Sequence, residues 1–264
     1  MTTVTKPPAR TAPTASRAAV RRPSLARLTG VELRKLADTR AGVWLLITIG
    51  LIAAAIVVVQ LFVVPEAEQT FASFFEPSLL PVGILLPVLG ILSITSEWSQ
   101  RSGLATFTLT PRRGRVVLAK LAAVVLAALA SVLASLAVAA AGTLIAGATG
   151  DGGRWTIEAA VIWHAVLLQG INVLMGAAFG LLLLNTPLAI VTYLLLPTVW
   201  SVLGGLIKSL RGPAGWLDTT VTMDPLFGPT VTAAQWGRLA VSVAVWVALP
   251  LTAGLYRTLR REVA

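Results

Sequence analysis

Six apolar stretches, each close to or beyond the twenty or so residues that a bilayer crossing needs, constrain this chain more than anything else in it. They cover about 42–64, 78–96, 116–148, 159–183, 187–207 and 236–256. Their apolar residues come in continuous runs rather than at helical or strand periods, so they face a solvent and not a single core. Only 12% of the 264 residues are charged and the mean hydropathy is +0.84, too little polarity to coat a water-soluble fold of this size. Lipid offers no water to the backbone, so the spans are helices. The alternating hairpins of a membrane barrel are absent. The sequence predicts an all-α integral membrane protein with six transmembrane helices.

A net charge of +10 would point to nucleic acid in a soluble protein. Here the placement of the charges explains them, and no nucleic-acid partner is expected. Nine Lys and Arg precede the first stretch, and Arg101, Arg112, Arg113, Arg115 and Lys120 lie between the second and third. Arg257, Arg260 and Arg261 follow the last, while Arg154, Lys208, Arg211 and Arg238 are alone on the other side. Acidic residues lean the opposite way, from Glu66, Glu68 and Glu76 to Asp218 and Asp224. Lys and Arg concentrate on the cytoplasmic side of a membrane, so both termini are expected there. The chain has no cysteine, which removes disulfides and thiolate metal sites from consideration.

Residues 1–23 are rich in Pro, Ala, Thr and Arg without apolar periodicity and read as a disordered basic tail. Arg21-Arg22 is a poor export signal, because the following apolar run is distant, long and without a cleavage site. Over 24–40 the pattern changes. Leu25, Leu28, Leu33 and Leu36 share one helical face, with Arg27, Arg34, Lys35 and Asp38 opposite. That predicts an amphipathic helix lying in the membrane interface, with Gly30 and a misplaced Glu32 weakening the pattern. Residues 257–264 form a short cytoplasmic tail.

The stretch EWSQRSGLATFTLTPRRGRVVLAKLA, 97–122, joins the second and third spans. Pro111 stops a continuous helix there, and Gly103 and Gly114 allow turns. Lys120 falls a turn into the third span, where its long stem is expected to snorkel back to the interface. Orientation needs only the arginines; it leaves Glu97, the glycines and the proline unexplained.

Glu97, Gly103 and L-T-P-R-R-G-R-V-V-L-A-K together resemble the cytoplasmic loop between spans two and three of type-2 ABC exporter permeases. V-E-L-R-K-L-x-D-T-R, from Val31 to Arg40, is similar to the segment before their first span. Six spans with both ends inside is also that family's layout, so the resemblance covers nearly the whole chain. It implies a permease subunit of an ATP-driven exporter in the bacterial plasma membrane. The substrate expected is hydrophobic or amphipathic, and two copies of a separate ATPase subunit would bind the ATP and Mg. The chain itself would bind no cofactor or metal and would pair with a second permease copy or a homologous one. On this analogy 97–113 couples to the ATPase, with Glu97, Gly103, Pro111, Arg112, Arg113, Arg115 and Lys120 matching the pattern. The 24–40 helix, through Glu32, Arg34, Lys35, Leu36 and Arg40, corresponds to the connecting helix beside it.

No G-x4-G-K-[ST] occurs, so the chain has no phosphate cradle of its own. An intramembrane enzyme is disfavoured too: the one histidine has no helical carboxylate or histidine partner, and no hydrolase or zinc-protease motif is present. All acids lie near span ends, which disfavours an ion-coupled secondary transporter. A non-transporting anchor or sensor subunit of an ATPase complex remains the alternative. Within the fourth span His164, Gln169 and Asn172 are candidates for the translocation pathway, although a helical projection sets His164 and Gln169 roughly 140° apart. Gly176 and Gly180 suit close helix packing, within the chain or across a dimer. Pro81, Pro87 and Pro197 are read as kinks rather than sites.

Overall fold

The computed structural model describes residues 24–99 and 113–260. Ser24 opens the first helix, α1 (Leu25–Asp38), by accepting a hydrogen bond from the Arg27 amide at 3.2 Å. Thr39 is extended, ends α1, and caps α2 (Arg40–Val63) through its Oγ1 and the Gly42 amide. A single residue therefore makes the corner between an amphipathic helix and the first span. A Cβ on Gly42 would collide with the Leu36 carbonyl, which is how closely the two helices meet.

The second span is two helices in series, α3 (Phe71–Ser78) and α4 (Leu80–Ser99), which break at Leu79. Thr70 and Ser73 form a reciprocal cap at its start, so it begins seven residues before the apolar run does. The third span is α5 (Arg113–Thr149), the fourth α6 (Ala159–Leu183) and the fifth α7 (Thr186–Leu206). Two short helices, α8 (Arg211–Leu217) and α9 (Thr219–Met223), and a 3-10 turn at Asp224–Phe227 occupy the next connection. The sixth span is α10 (Ala233–Val243), a π-helical segment at Ala244–Ala248, and α11 (Leu249–Arg260). Pro250 follows that segment and lacks the N–H that an α-helical turn would direct at Trp246, a recurrent cause of such irregularity.

Among the described residues, six helical spans are long and apolar enough to cross a membrane. The second and fourth lie at the centre, with 67% and 61% of their most apolar windows buried, against 17% and 22% for the first and fifth. Trp44, Leu51, Phe62 and Leu206 are exposed around the periphery, a surface suited to lipid and not to water. Lipid gives apolar side chains no reason to cluster, so close approach of small residues holds the centre together. Gly176 packs on the Pro87 carbonyl and Gly180 on Ile91, both in α4, so this glycine pair serves packing within the chain.

At the end opposite α1 the loops after the first and third spans are stitched together. Gln69 donates to the Leu61 and Val64 carbonyls, and its own carbonyl accepts from Gly153 at 2.9 Å. The Glu66 carboxylate accepts from the Asp151 amide, Phe71 N–H bonds Arg154 O, and the Arg154 guanidinium returns to Ala67 O.

Candidate functional site

Two buried polar clusters stand out, one under α1 and one midway along the second and fourth spans. The first lies under α1. Thr29, Glu32 and Leu36 are the buried residues of this helix, with Leu25, Leu28 and Leu33 half-buried beside them. Glu32 is therefore on the inward face and not misplaced. Its Oε2 lies 2.7 Å from Lys120 Nζ of α5, and its Oε1 lies 2.7 Å from Lys35 Nζ. Lys120 also donates to the Ser93 carbonyl of α4 at 3.0 Å. The snorkelling expected of Lys120 is thus overturned: the residue is 4% exposed. It turns inward because a carboxylate and a carbonyl together satisfy an ammonium that lipid would not. Burial acts to raise the pKa of Glu32, but the two lysines outweigh it and hold the carboxyl below its usual value. Arg34, Lys35 and Arg40 face outward, while Leu36 joins the core.

The segment proposed from sequence to meet an ATPase falls mostly outside the described residues, including Gly103, Pro111 and Arg112. Glu97 belongs to the last turn of α4, and Arg113 opens α5. Arg115 is half-buried one turn before Lys120.

The second cluster surrounds a cavity of about 470 Å³ between the second, fourth and fifth spans and the α9 turn. Leu168, Met175 and Met223 supply apolar walls. Gln169 and Asn172 both line it, one turn apart on α6. Gln169 is 1% exposed, and its Nε2 donates to the Leu79 carbonyl at 3.3 Å. That carbonyl can only accept, which fixes the amide's orientation and leaves Gln169 Oε1 buried without a donor. Asn172 is half-buried. Gly83 faces both amides: a Cβ there would lie 3.7 Å from Gln169 and 3.8 Å from Asn172.

The prolines contribute here as well, a role that reading them as kinks missed. Pro87 has no N–H to offer Gly83 O four residues back, and the Tyr193 hydroxyl donates to that carbonyl at 3.4 Å. Pro197 likewise leaves the Tyr193 carbonyl without a helical donor, and both residues line the cavity. The signal was in the sequence, as Gly83-x3-Pro87 and Tyr193-x3-Pro197. It gains meaning only when those helices are known to be neighbours.

His164 lies apart from this cavity. Its Nδ1 donates to the Gly228 carbonyl at 2.8 Å, and its ring meets the edge of Trp236 with centroids 6.0 Å apart. The residue fastens the fifth-to-sixth connection to the fourth span. The projection that separated His164 from Gln169 describes the arrangement. Trp216 is partly exposed beneath Arg238, and Trp246 Nε1 donates to Leu217 O at 2.6 Å. Among the described residues no group of His, Cys, Asp and Glu could hold a metal ion. No protein-family model matches the chain, and no curated protein matches it in sequence.

Proposed function

We propose that this chain is the membrane-spanning permease subunit of an ATP-driven exporter of the type-2 ABC class. It would move a hydrophobic or amphipathic substrate out of the cell with energy from a separate ATPase subunit. The observation that carries the reading is the Glu32–Lys120 ion pair. Glu32 belongs to the Val31–Arg40 stretch and Lys120 to the Leu109–Lys120 stretch, the two segments whose residues resemble the family. Their joining at 2.7 Å supports treating them as one mechanical unit. A push on the 97–113 segment would then reach α1 and the bases of the second and third spans together.

In this reading both termini and α1 lie on the cytoplasmic side of a bacterial plasma membrane, where the Lys and Arg excess belongs. α1 rests at the headgroups with Arg27 and Arg34 outward. The arginines between the second and third spans meet the ATPase, and a second permease copy completes the pathway. A non-transporting anchor or sensor subunit would carry the same docking surface.

Affinity purification from native membranes in mild detergent tests the proposal. A vanadate-sensitive ATPase should accompany the wild-type chain and be lost with Arg112→Glu/Arg113→Glu, while membrane insertion of the variant stays normal. Normal export by that double variant overturns the coupling role of this loop. Absence of any ATPase across several detergents overturns the permease reading, and a retained ATPase without ATP-dependent solute movement in vesicles favours the anchor or sensor.

A further inference from the structure

We infer that the cavity between Gln169 and Tyr193 is a binding site for an amphipathic organic cation bearing N–H donors. Its walls are apolar, its volume is that of a small-molecule site, and a few polar groups converge on it. They include acceptors without a full set of donors, beside the Asn172 amide and the Thr219 and Thr220 hydroxyls. Gln169 Oε1 is buried and has no donor. The Tyr193 carbonyl has lost its helical donor to Pro197 and Gly83 O its own to Pro87, and Gly83 O takes a long contact from the Tyr193 hydroxyl. Asn172 adds an amide with one acceptor oxygen. The one carboxylate among the lining residues is Asp224, exposed in the turn after α9. Among the described residues, no Lys, Arg or His lines the cavity.

Leaving a buried acceptor unmade is costly, so a ligand that donates to Gln169 gains more than a simple apolar guest. A carboxylate at the rim favours positive charge on that donor. Leu80, Ile84 and Leu194 are exposed lining residues on the second and fifth spans. Spans with apolar faces of this kind meet lipid, so an amphipath that already partitions into the bilayer can reach the cavity sideways. Calling this ligand the exported substrate rests on the permease reading; its binding does not.

The test uses the full chain in lipid nanodiscs without any ATPase, with empty nanodiscs as the background. The probe is 9-aminoacridine, a flat fluorescent cation with N–H donors, and its comparator is 10-methylacridinium, of similar shape and charge without them. Fluorescence anisotropy should show saturable 9-aminoacridine binding, about tenfold tighter than the comparator. Gln169→Met, which keeps the volume and removes the acceptor, should weaken 9-aminoacridine about tenfold and leave the comparator unchanged. Gly83→Leu should fill the cavity and abolish binding of both, with an unchanged gel-filtration profile reporting that the variant is folded. No saturable binding, equal affinity for the two dyes, or undiminished binding to both variants overturns the inference. Binding as described by a chain that recruits no ATPase would leave the site standing and remove the permease reading. A recruited ATPase with no dye binding would do the reverse.

Discussion

Two regions of the bundle bury polar side chains on opposite terms. Beneath α1, Glu32 is 6% exposed and Lys120 4% exposed, yet each finds a partner at 2.7 Å and Lys120 also reaches the Ser93 carbonyl. Around the cavity, Gln169 is more deeply buried than either, and one of its two polar atoms has no partner. A complete set of bonds holds helices in place. An incomplete set, beside an empty volume, leaves binding capacity for something else. The contrast separates a joint from a receptor within one bundle.

Breaking the joint should have the largest effect. Lys120→Met leaves the Glu32 carboxylate with only the exposed Lys35 as partner, and loss of one partner of a buried ion pair costs about 3–5 kcal/mol. Thermal unfolding in detergent should fall steeply for this variant. Glu32→Leu/Lys120→Met should recover most of the loss, because a buried pair replaced by apolar residues is often neutral. If the double variant is as unstable as the single one, the pair is not self-compensated and the contrast between the two regions fails.

Overfilling the centre comes next. Gly176→Leu drives a side chain into the Pro87 backbone between the two most buried spans, at a cost of about 1–3 kcal/mol or more. The melting temperature and the yield of monodisperse protein read it. Because α4 and α6 carry both Gly83 and Gln169, this variant should also distort the cavity, whereas the Lys120 variants should not.

Acid should loosen the joint. The folded-state carboxyl of Glu32 titrates below its ordinary value of 4.5, so its stabilising contribution is complete above that value. It is lost as pH falls through the lower, folded-state pKa. The difference in melting temperature between wild type and Glu32→Gln should hold from pH 7 to about 5 and close below about 4.5. A difference that grows on acidification contradicts the direction of the shift.

Gln169→Met should change stability least, within about 1 kcal/mol of wild type. The substitution loses one long bond to Leu79 O, which still accepts from the Gly83 amide, and relieves the unpaired oxygen. A loss comparable with that of Lys120→Met would mean that Gln169 is structural and the comparison misjudged.

The six spans were legible because lipid imposes one demand, about twenty apolar residues, and that demand is local. The corner at Thr39 and the reciprocal cap at Thr70 were not anticipated, since caps settle boundaries residue by residue. Glu32 illustrates the limit more sharply. On the helix alone it spoils an amphipathic face, and its meaning comes from Lys120, 88 positions away. Lys120 was misread for the same reason: snorkelling is the rule for a lysine without an inward partner. Gln169 and Asn172 were singled out by their polarity in an apolar run. The separation of Gln169 from His164 followed from helical geometry. The freed carbonyls of Gly83 and Tyr193 needed knowledge of which helices touch.

The π-helical segment at Ala244–Ala248 amounts to one additional residue wedged into a helix of the sixth span. It lets the span keep two registers. Before it, Leu239 and Ser242 face α9 and its neighbours; after it, Gly254 lies against Leu181 and Leu182, and Arg257 reaches the Leu182 carbonyl. Removing a single codon there would take out the added residue and rotate everything after it by roughly 100° relative to the first half. Gly254 would leave Leu181, and a bulkier residue would take its place. In hereditary terms, the sixth span tolerates exchange of residues along its length better than a change in their number.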